Sequence, residues 1–114
     1  MSQIVNIGSE LIRINPAKNS IEYSNNKGNS WFSRHSGSSC GTFKDLLIYG
    51  GELIATTSKG VYYSNNKGCS WYCRHASGSV EFQSLADGGK ELLAMTSKGL
   101  HYSNNKGCSW YRRG

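Results

Sequence analysis

The chain has 114 residues, of which 37% are apolar and 18% are charged, and its net charge is +6. The length fits one ordinary domain, and the composition is neither that of a disordered chain nor that of a polytopic membrane protein. Abundant Gly, Ser and Asn with many aromatic residues favour short strands joined by tight turns over helices.

The predicted elements begin with SQIVNIG, an innermost strand, and the first copy of a repeated unit follows at residues 9–35. The second copy, GELIATTSKGVYYSNNKGCSWYCRH at 51–75, matches the third, KELLAMTSKGLHYSNNKGCSWYRRG at 90–114. Trp31, Trp71 and Trp110 are 40 and 39 residues apart, so three copies of one unit account for the whole chain.

Each unit reads as four short strands. In the second unit these are TFKDLLIY, ELIATT, VYYS and CSWYCRH, joined by Gly50-Gly51, a turn at 58–60 and the turn NNKG. Links this short imply antiparallel neighbours, so a unit is a four-stranded meander of the size of a β-propeller blade. The prediction is a single all-β domain, residues 1–114, with blades at about 1–38, 39–78 and 79–114.

A motif Ser-x-Asn-x-Gly-x-Ser-Trp marks every unit and resembles the Asp-box of the BNR-repeat β-propeller family, with Asn in place of Asp. The resemblance covers the whole chain and implies that each box is a structural turn between the third and fourth strands. The box residues are Ser24, Asn26, Gly28, Ser30 and Trp31; Ser64, Asn66, Gly68, Ser70 and Trp71; and Ser103, Asn105, Gly107, Ser109 and Trp110.

Three blades leave an uncovered face at each end, whereas natural propeller rings have about four to eight blades. The preferred expectation is a homodimer that closes a six-bladed ring, because two-fold assemblies are the commonest. A larger assembly, or a fragment of a longer repeat protein, is the alternative.

Ligand-binding candidates are expected at the face opposite the boxes, where strand ends and long inter-blade links meet. The candidates are the basic residues Arg34, His35, Lys59, Arg74, His75 and Lys98, which suit carboxylate, sulfate or phosphate groups. Tyr62, Tyr72 and Tyr111 are candidate aromatic platforms. The alternative is that the charges keep exposed strand edges soluble and the rings pack between blades. On the box face, Lys27, Lys67 and Lys106 could pair with Glu10, Glu52 and Glu91.

No catalytic constellation is recognised. Sialidases of the resembled family use three arginines, a Tyr/Glu pair and an acid/base residue on dissimilar blades, and a glycosidase needs two facing carboxylates. No such set can be nominated among these near-identical units. Four cysteines, Cys40, Cys69, Cys73 and Cys108, have no Cys-x-x-Cys spacing, so they are expected to be free and packed as small apolar residues. No metal or cofactor is expected.

The sequence therefore predicts a non-enzymatic binding module, lectin-like and directed at anionic carbohydrate. The alternative is a scaffold for protein partners, and a glycosidase or a nucleic-acid binder is less favoured because the basic residues form no contiguous stripe. No membrane association is expected. No signal peptide is recognised, so the expected location is cytoplasmic, with a phage-associated or extracellular component as the alternative.

Overall fold

A computed structural model of the chain describes residues 4–15, 17–36, 40–76 and 80–113. All regular elements in these ranges are strands, and they form three four-stranded antiparallel sheets. The strands are β1 (Ile4–Ile7), β2 (Glu10–Asn15), β3 (Ser20–Ser24), β4 (Phe32–Ser36), β5 (Phe43–Tyr49), β6 (Glu52–Thr57), β7 (Gly60–Ser64), β8 (Tyr72–Ala76), β9 (Phe82–Asp87), β10 (Leu92–Thr96), β11 (Gly99–Ser103) and β12 (Tyr111–Arg112).

Each sheet is a meander in which neighbouring strands follow one another along the chain. Blade 1 comprises β1–β4, blade 2 comprises β5–β8 and blade 3 comprises β9–β12. The predicted all-β class and the four-stranded antiparallel units are thus confirmed. The predicted blade boundaries near residues 38 and 78 lie outside the described residues. No helix long and apolar enough to cross a membrane is found in the part of the chain that the structure describes.

The apolar core lies between the blades, because alternate residues of a strand point to opposite faces of its sheet. In β6, Leu53 and Ala55 join the cluster shared with blade 1, and Ile54 joins the cluster shared with blade 3. We call these two interfaces the first seam and the second seam. The first seam buries a larger apolar cluster, in which Trp71 packs on Phe43 with ring centroids 5.4 Å apart.

Each seam also has polar contacts of its own. In the first seam, Asn19 Nδ2 donates to the carbonyl of Gly41 at 3.0 Å, and Phe43 N–H donates to Asn19 Oδ1 at 2.9 Å. In the second seam, the buried Asp45 accepts from the N–H groups of Leu46 and Leu85, both at 2.9 Å. Burial raises the pKa of Asp45, although these two backbone donors oppose the rise.

The stack ends in two uncovered sheet faces. Ile4 of blade 1 lies opposite Arg13 in the ladder, as Leu46 of blade 2 lies opposite Ala55, so Ile4 and Leu46 are equivalent. Ile4 is 51% exposed and Leu46 is 1% exposed. At the other end, Met95 of blade 3 is 47% exposed, whereas its equivalent in blade 2, Thr56, is buried. Among the described residues, one face of blade 1 and one face of blade 3 are therefore uncovered.

Candidate binding rim

The box turns are held by the same hydrogen bonds in all three blades. In blade 1, Ser24 Oγ accepts from Gly28 N–H at 2.9 Å and donates to Asn26 Oδ1 at 2.8 Å. Asn26 Oδ1 also accepts from Ser30 N–H at 2.9 Å. Because Asn26 Oδ1 accepts hydrogen bonds from donors within its own turn, the box stabilises that turn. The corresponding bonds link Ser64, Asn66, Gly68 and Ser70, and Ser103, Asn105, Gly107 and Ser109.

Directly after each box, an exposed aromatic ring heads a stack of side chains. In blade 2, Tyr72 packs on Tyr63 with ring centroids 5.6 Å apart, and the guanidinium of Arg74 lies 3.7 Å from the Tyr63 ring centroid. Arg74 also forms a two-pronged ion pair with Glu52, at 2.6 and 3.0 Å. We call such a set a rim column. The other two columns are Phe32, Tyr23, Arg34 and Glu10, and Tyr111, Tyr102, Arg113 and Glu91.

A β-bulge explains why the arginine turns toward the box end of the blade. In blade 2, Tyr62 pairs with Cys73 and Val61 pairs with His75, so Arg74 is the extra residue between them. The same shift occurs opposite Arg34 in blade 1. A bulge of this kind re-aims a side chain, and here it directs the guanidinium to the glutamate at the start of the second strand.

The ion pairs fix the charge of both partners. The hydrogen bond from Arg34 lowers the pKa of Glu10, and the one from Arg74 lowers the pKa of Glu52, in each case outweighing burial. The pKa values of the two arginines are raised for the same reason. The columns are therefore rigid, charge-paired supports for the exposed rings.

The columns also reach across the seams. Arg34 Nη1 donates to the carbonyl of Lys67 in the next blade's box at 3.2 Å, and Arg74 Nη1 donates to that of Lys106 at 3.2 Å. Both arginine side chains are 12% exposed. Arg113 holds the equivalent position in the blade 3 column, and its side chain is 44% exposed.

The structure separates the predicted basic residues into two groups. Arg34 and Arg74 contact the box end, whereas Lys59 and Lys98 lie in the β6–β7 and β10–β11 turns at the opposite end. The expected common basic face is therefore not formed, because the bulge turns the arginines away from it. Ligand binding by any of these residues stays a prediction.

The two predicted histidines pack between blades. His35 makes an edge contact with Phe43 at 5.9 Å between centroids, and His75 makes the same contact with Phe82 at 5.7 Å. His75 Nδ1 also lies 3.2 Å from the carbonyl oxygen of Cys108. These contacts give both rings a place in the seams, and no ligand is needed to account for their positions.

The predicted aromatic platforms divide in a similar way. Tyr62 packs against the first-seam core, and burial raises its pKa. Tyr72 and Tyr111 are 49% and 50% exposed, and Phe32, which the sequence reasoning did not select, is 50% exposed at the equivalent position. The sequence does indicate that Phe32 is equivalent to the two tyrosines, because all three residues directly follow the box tryptophan.

The four cysteines are thiols outside any disulfide, as predicted, but only Cys40 is buried. Cys69 and Cys108 lie in box turns and Cys73 lies on an outermost strand, so these three are exposed and the expected packing is wrong for them. Within the described ranges, no group of three His, Cys, Asp or Glu side chains could hold a metal ion.

Comparison with known proteins adds no identification: no protein-family model matches the chain, and no curated protein matches it. The Asp-box resemblance therefore stays a prediction that rests on the motif.

Proposed function

We propose that this protein is a non-enzymatic, lectin-like binding module that holds carbohydrate against the exposed rings of its rim columns. The observation that supports this most directly is the repeat of one half-exposed aromatic ring at the same place on each blade, at Phe32, Tyr72 and Tyr111. Each ring offers a flat apolar surface on which a ligand can stack.

The rim columns suit a sugar in two respects. The Tyr72 ring already packs on Tyr63, whose own ring contacts Arg74, so it loses little freedom when a ligand stacks on it, which lowers the cost of binding. The position holds Phe in one copy and Tyr in two, so the common element is the flat ring. Three equivalent sites on a rigid support favour multivalent capture of a repeating ligand.

The charge near the columns supports a preference for anionic sugars. Within a column, arginine and glutamate neutralise each other. The box lysine of the next blade, however, lies close enough to act on the glutamate: Lys67 lowers the pKa of Glu10 and Lys106 lowers that of Glu52, each in addition to the arginine. Each seam thus has one surplus positive charge within electrostatic reach of the column's glutamate, in a chain of net charge +6.

The acidic residues support the non-enzymatic part of the proposal. The chain has seven carboxylates, and each one accepts a hydrogen bond or ion pair from its own fold. Glycoside hydrolysis needs two carboxyl groups that face a substrate, and these seven serve turns, seams and columns. The seven residues are Glu10, Glu22, Asp45, Glu52, Glu81, Asp87 and Glu91.

We also propose that the module works as a closed propeller of six blades, made by two copies of the chain. The support is the pair of uncovered faces described above, since apolar surface at Ile4 and Met95 is exposed where the equivalent positions inside the stack are buried. A ring would place six rim columns around one particle.

A glycan array that includes neutral, carboxylated and sulfated sugars tests the function. Tyr72→Ala with Tyr111→Ala should reduce binding at least tenfold, because each loses a stacking surface worth about 1 kcal/mol or more. Tyr72→Phe with Tyr111→Phe should bind as the wild type does.

Lys59→Ala with Lys98→Ala is the matched control, because it alters two equivalent exposed residues at the other end of the blades. Loss of binding in this control, with binding retained in the tyrosine variant, would restore the basic face predicted from the sequence and overturn the rim proposal. If no sugar binds and a specific protein is recovered instead, the scaffold function replaces it.

A further inference from the structure

We infer that a second copy of this chain docks its blade 1 on blade 3 head-to-tail, as a third seam, and that Arg113 donates to the main-chain carbonyl of the second copy's Lys27. The inference deepens the proposed ring and rests on it. The two surfaces that meet are the uncovered faces of blade 3 and blade 1, and the Arg113 contact closes the rim between them.

The two internal seams provide the template for the two uncovered faces. We call the face of a blade that packs on the next blade along the chain its forward face. On the forward face of blade 2, Ile54 and Val61 pack against blade 3. The equivalent residues on blade 3 are Leu93 and Leu100, and with Met95 they line an apolar cavity of about 140 Å³ that no described residue fills. This face therefore repeats the surface that binds the next blade inside the stack.

The arginine of the last column is the second observation. Arg34 and Arg74 each cross a seam to a box carbonyl, and each is 12% exposed. Arg113 donates through Nη2 to Glu91 at 2.7 Å and lies over the Tyr102 ring, as the other two arginines do over theirs, yet it is 44% exposed. Arg34 and Arg74 donate to the carbonyls of Lys67 and Lys106. By equivalence, the carbonyl that Arg113 meets in the second copy belongs to Lys27.

Blade 1 has the matching recess. A cavity of about 440 Å³ opens at its box end, lined by Asn6, Gly8, Ser9, Leu11, Asn25 and Lys27. In the first seam, Leu53 is the equivalent of Leu11 and belongs to the buried core that Tyr23 packs against. Lys67 is the equivalent of Lys27, and its carbonyl accepts from Arg34. In the proposed third seam, this recess of blade 1 receives Tyr102 and Arg113 of the second copy.

The receiving face of blade 1 differs from its internal counterparts by being more polar, and its polar groups are already paired. Arg13 Nε donates to Glu22 Oε1 at 2.9 Å, and Asn15 Nδ2 donates to Glu22 Oε2 at 3.1 Å. The Arg13 guanidinium lies 4.1 Å from the Trp31 ring centroid. Covering groups that are already satisfied avoids the penalty of burying unpaired ones.

The orientation follows from the same contacts. Two blade 3 faces set against each other would bring Arg113 toward a second Arg113, with no box carbonyl between them. A head-to-tail contact supplies the carbonyl and repeats the geometry of the internal seams. Such a contact closes into a ring if its rotation allows, and forms an open filament if it does not.

The test combines light-scattering mass measurement with one variant on each face, Leu100→Asp on blade 3 and Ile4→Asp on blade 1. The wild type should have twice the 12.5 kDa chain mass. Each variant alone should be monomeric with an unchanged strand spectrum, and an equimolar mixture should regain dimers, because one intact blade 3 face then meets one intact blade 1 face.

The outcomes separate the possible failures. A wild type that stays monomeric at every concentration overturns both the ring and this inference, whereas glycan binding can still stand. A dimer that tolerates Ile4→Asp overturns the head-to-tail contact alone. A mass that grows with concentration without a limit contradicts the closed ring.

Arg113→Ala tests the rim contact, with Arg112→Ala as the control that removes the same charge from the neighbouring residue. Arg113→Ala should raise the dimer dissociation constant by about tenfold or more, as expected for loss of a charged hydrogen bond. Arg112→Ala should leave it unchanged, and equal effects of the two variants would overturn the assignment of Arg113.

Discussion

The first seam and the second seam join blades of nearly the same sequence, yet they are held in different ways. The first buries the larger apolar cluster, which includes Trp71, and Asn19 joins its two blades at the edge. The second has a smaller cluster and a partly exposed Trp110, and a buried carboxylate, Asp45, lies inside it.

The difference shows which residues build a blade and which join two blades. The boxes, the rim columns and the tryptophans repeat, so they define the unit wherever it occurs. Asn19 and Asp45 do not repeat. Asn19 directly precedes β3, and the residues directly before β7 and β11 are Lys59 and Lys98. Asp45 lies two residues after Phe43, and the residue two after Phe82 is Ser84.

The largest effect should come from deleting the enclosed tryptophan. Trp71→Ala should lower the free energy of unfolding by about 3–5 kcal/mol, because it leaves a cavity beside Phe43 in the first seam. Trp110→Ala should cost less, since that ring is only partly buried. Chemical unfolding of both variants measures the two seams on one scale, and a larger cost at Trp110 would contradict the comparison.

The polar contacts should have intermediate effects. Asp45→Asn should destabilise the protein by about 1–3 kcal/mol, because an amide has one acceptor oxygen for two buried N–H donors. Asp87→Asn, an exposed carboxylate that accepts from Gly89 N–H, is the control and should cost much less. Similar losses would mean that burial of Asp45 carries no special weight.

Asn19→Gly tests the polar contact of the first seam without adding backbone strain, since Asn19 has a positive φ of 48° that glycine also accepts. The variant should lose about 1–2 kcal/mol of stability. Hydrogen exchange should locate the loss at the Phe43 amide, which loses its acceptor, while the Leu85 amide in the second seam stays protected.

Acid should weaken both seams through the rim columns. The pKa values of Glu10 and Glu52 are lowered in the folded protein from an ordinary 4.5, so their contribution is present above pH 4.5 and is lost as the pH falls through the folded values. Asp45 acts in the opposite sense: its pKa is raised, so protonation favours the folded state. Thermal unfolding between pH 7 and pH 3 measures the balance.

Glu10→Gln with Glu52→Gln should flatten the acid limb of this pH dependence and lower the stability at pH 7. Asp87→Asn again serves as the control. An acid limb of wild-type steepness in the glutamine variant would show that the columns do not set it.

The smallest effect should come from the box tips. Lys67 adopts a left-handed conformation with a φ of 63°, which costs an ordinary residue about 1 kcal/mol, so Lys67→Gly should raise stability by several tenths of a kcal/mol. Lys106→Gly is its partner in the next box. A clear loss in either variant would mean that the lysine side chain contributes more to the seam than its backbone strain costs.

The sequence was sufficient to predict the strand order and the turns, because each strand is short and each link is marked by Gly or by the box. It also indicated the uncovered ends, since three units are fewer than a ring needs. The strand order follows from the residue types in the turns, and the uncovered ends follow from the number of units. Both can be read from one sequence.

The rim columns could not be placed in the same way. In the sequence, Arg34 and Arg74 lie near the predicted ends of the fourth strands, which predicts that they lie on the face opposite the boxes. A bulge, in which one residue has no partner across the ladder, turns them back toward Glu10 and Glu52. Bulges depend on the fit between neighbouring strands, and the one signal was the repeat of Arg and Glu in all three copies.

The unrepeated polar contacts have a consequence for how the chain folds. Blades 2 and 3 carry ten identical residues around their boxes, so a strand of one can pair with a strand of the other while the chain is still open. Such exchange is a common cause of misassembly in tandem repeats. The Asn19 bonds to Gly41 and Phe43 and the Asp45 bond to Leu85 cross a seam, so they form when the blades meet in their native order. Two side chains thus help to distinguish the correct arrangement from its near copies.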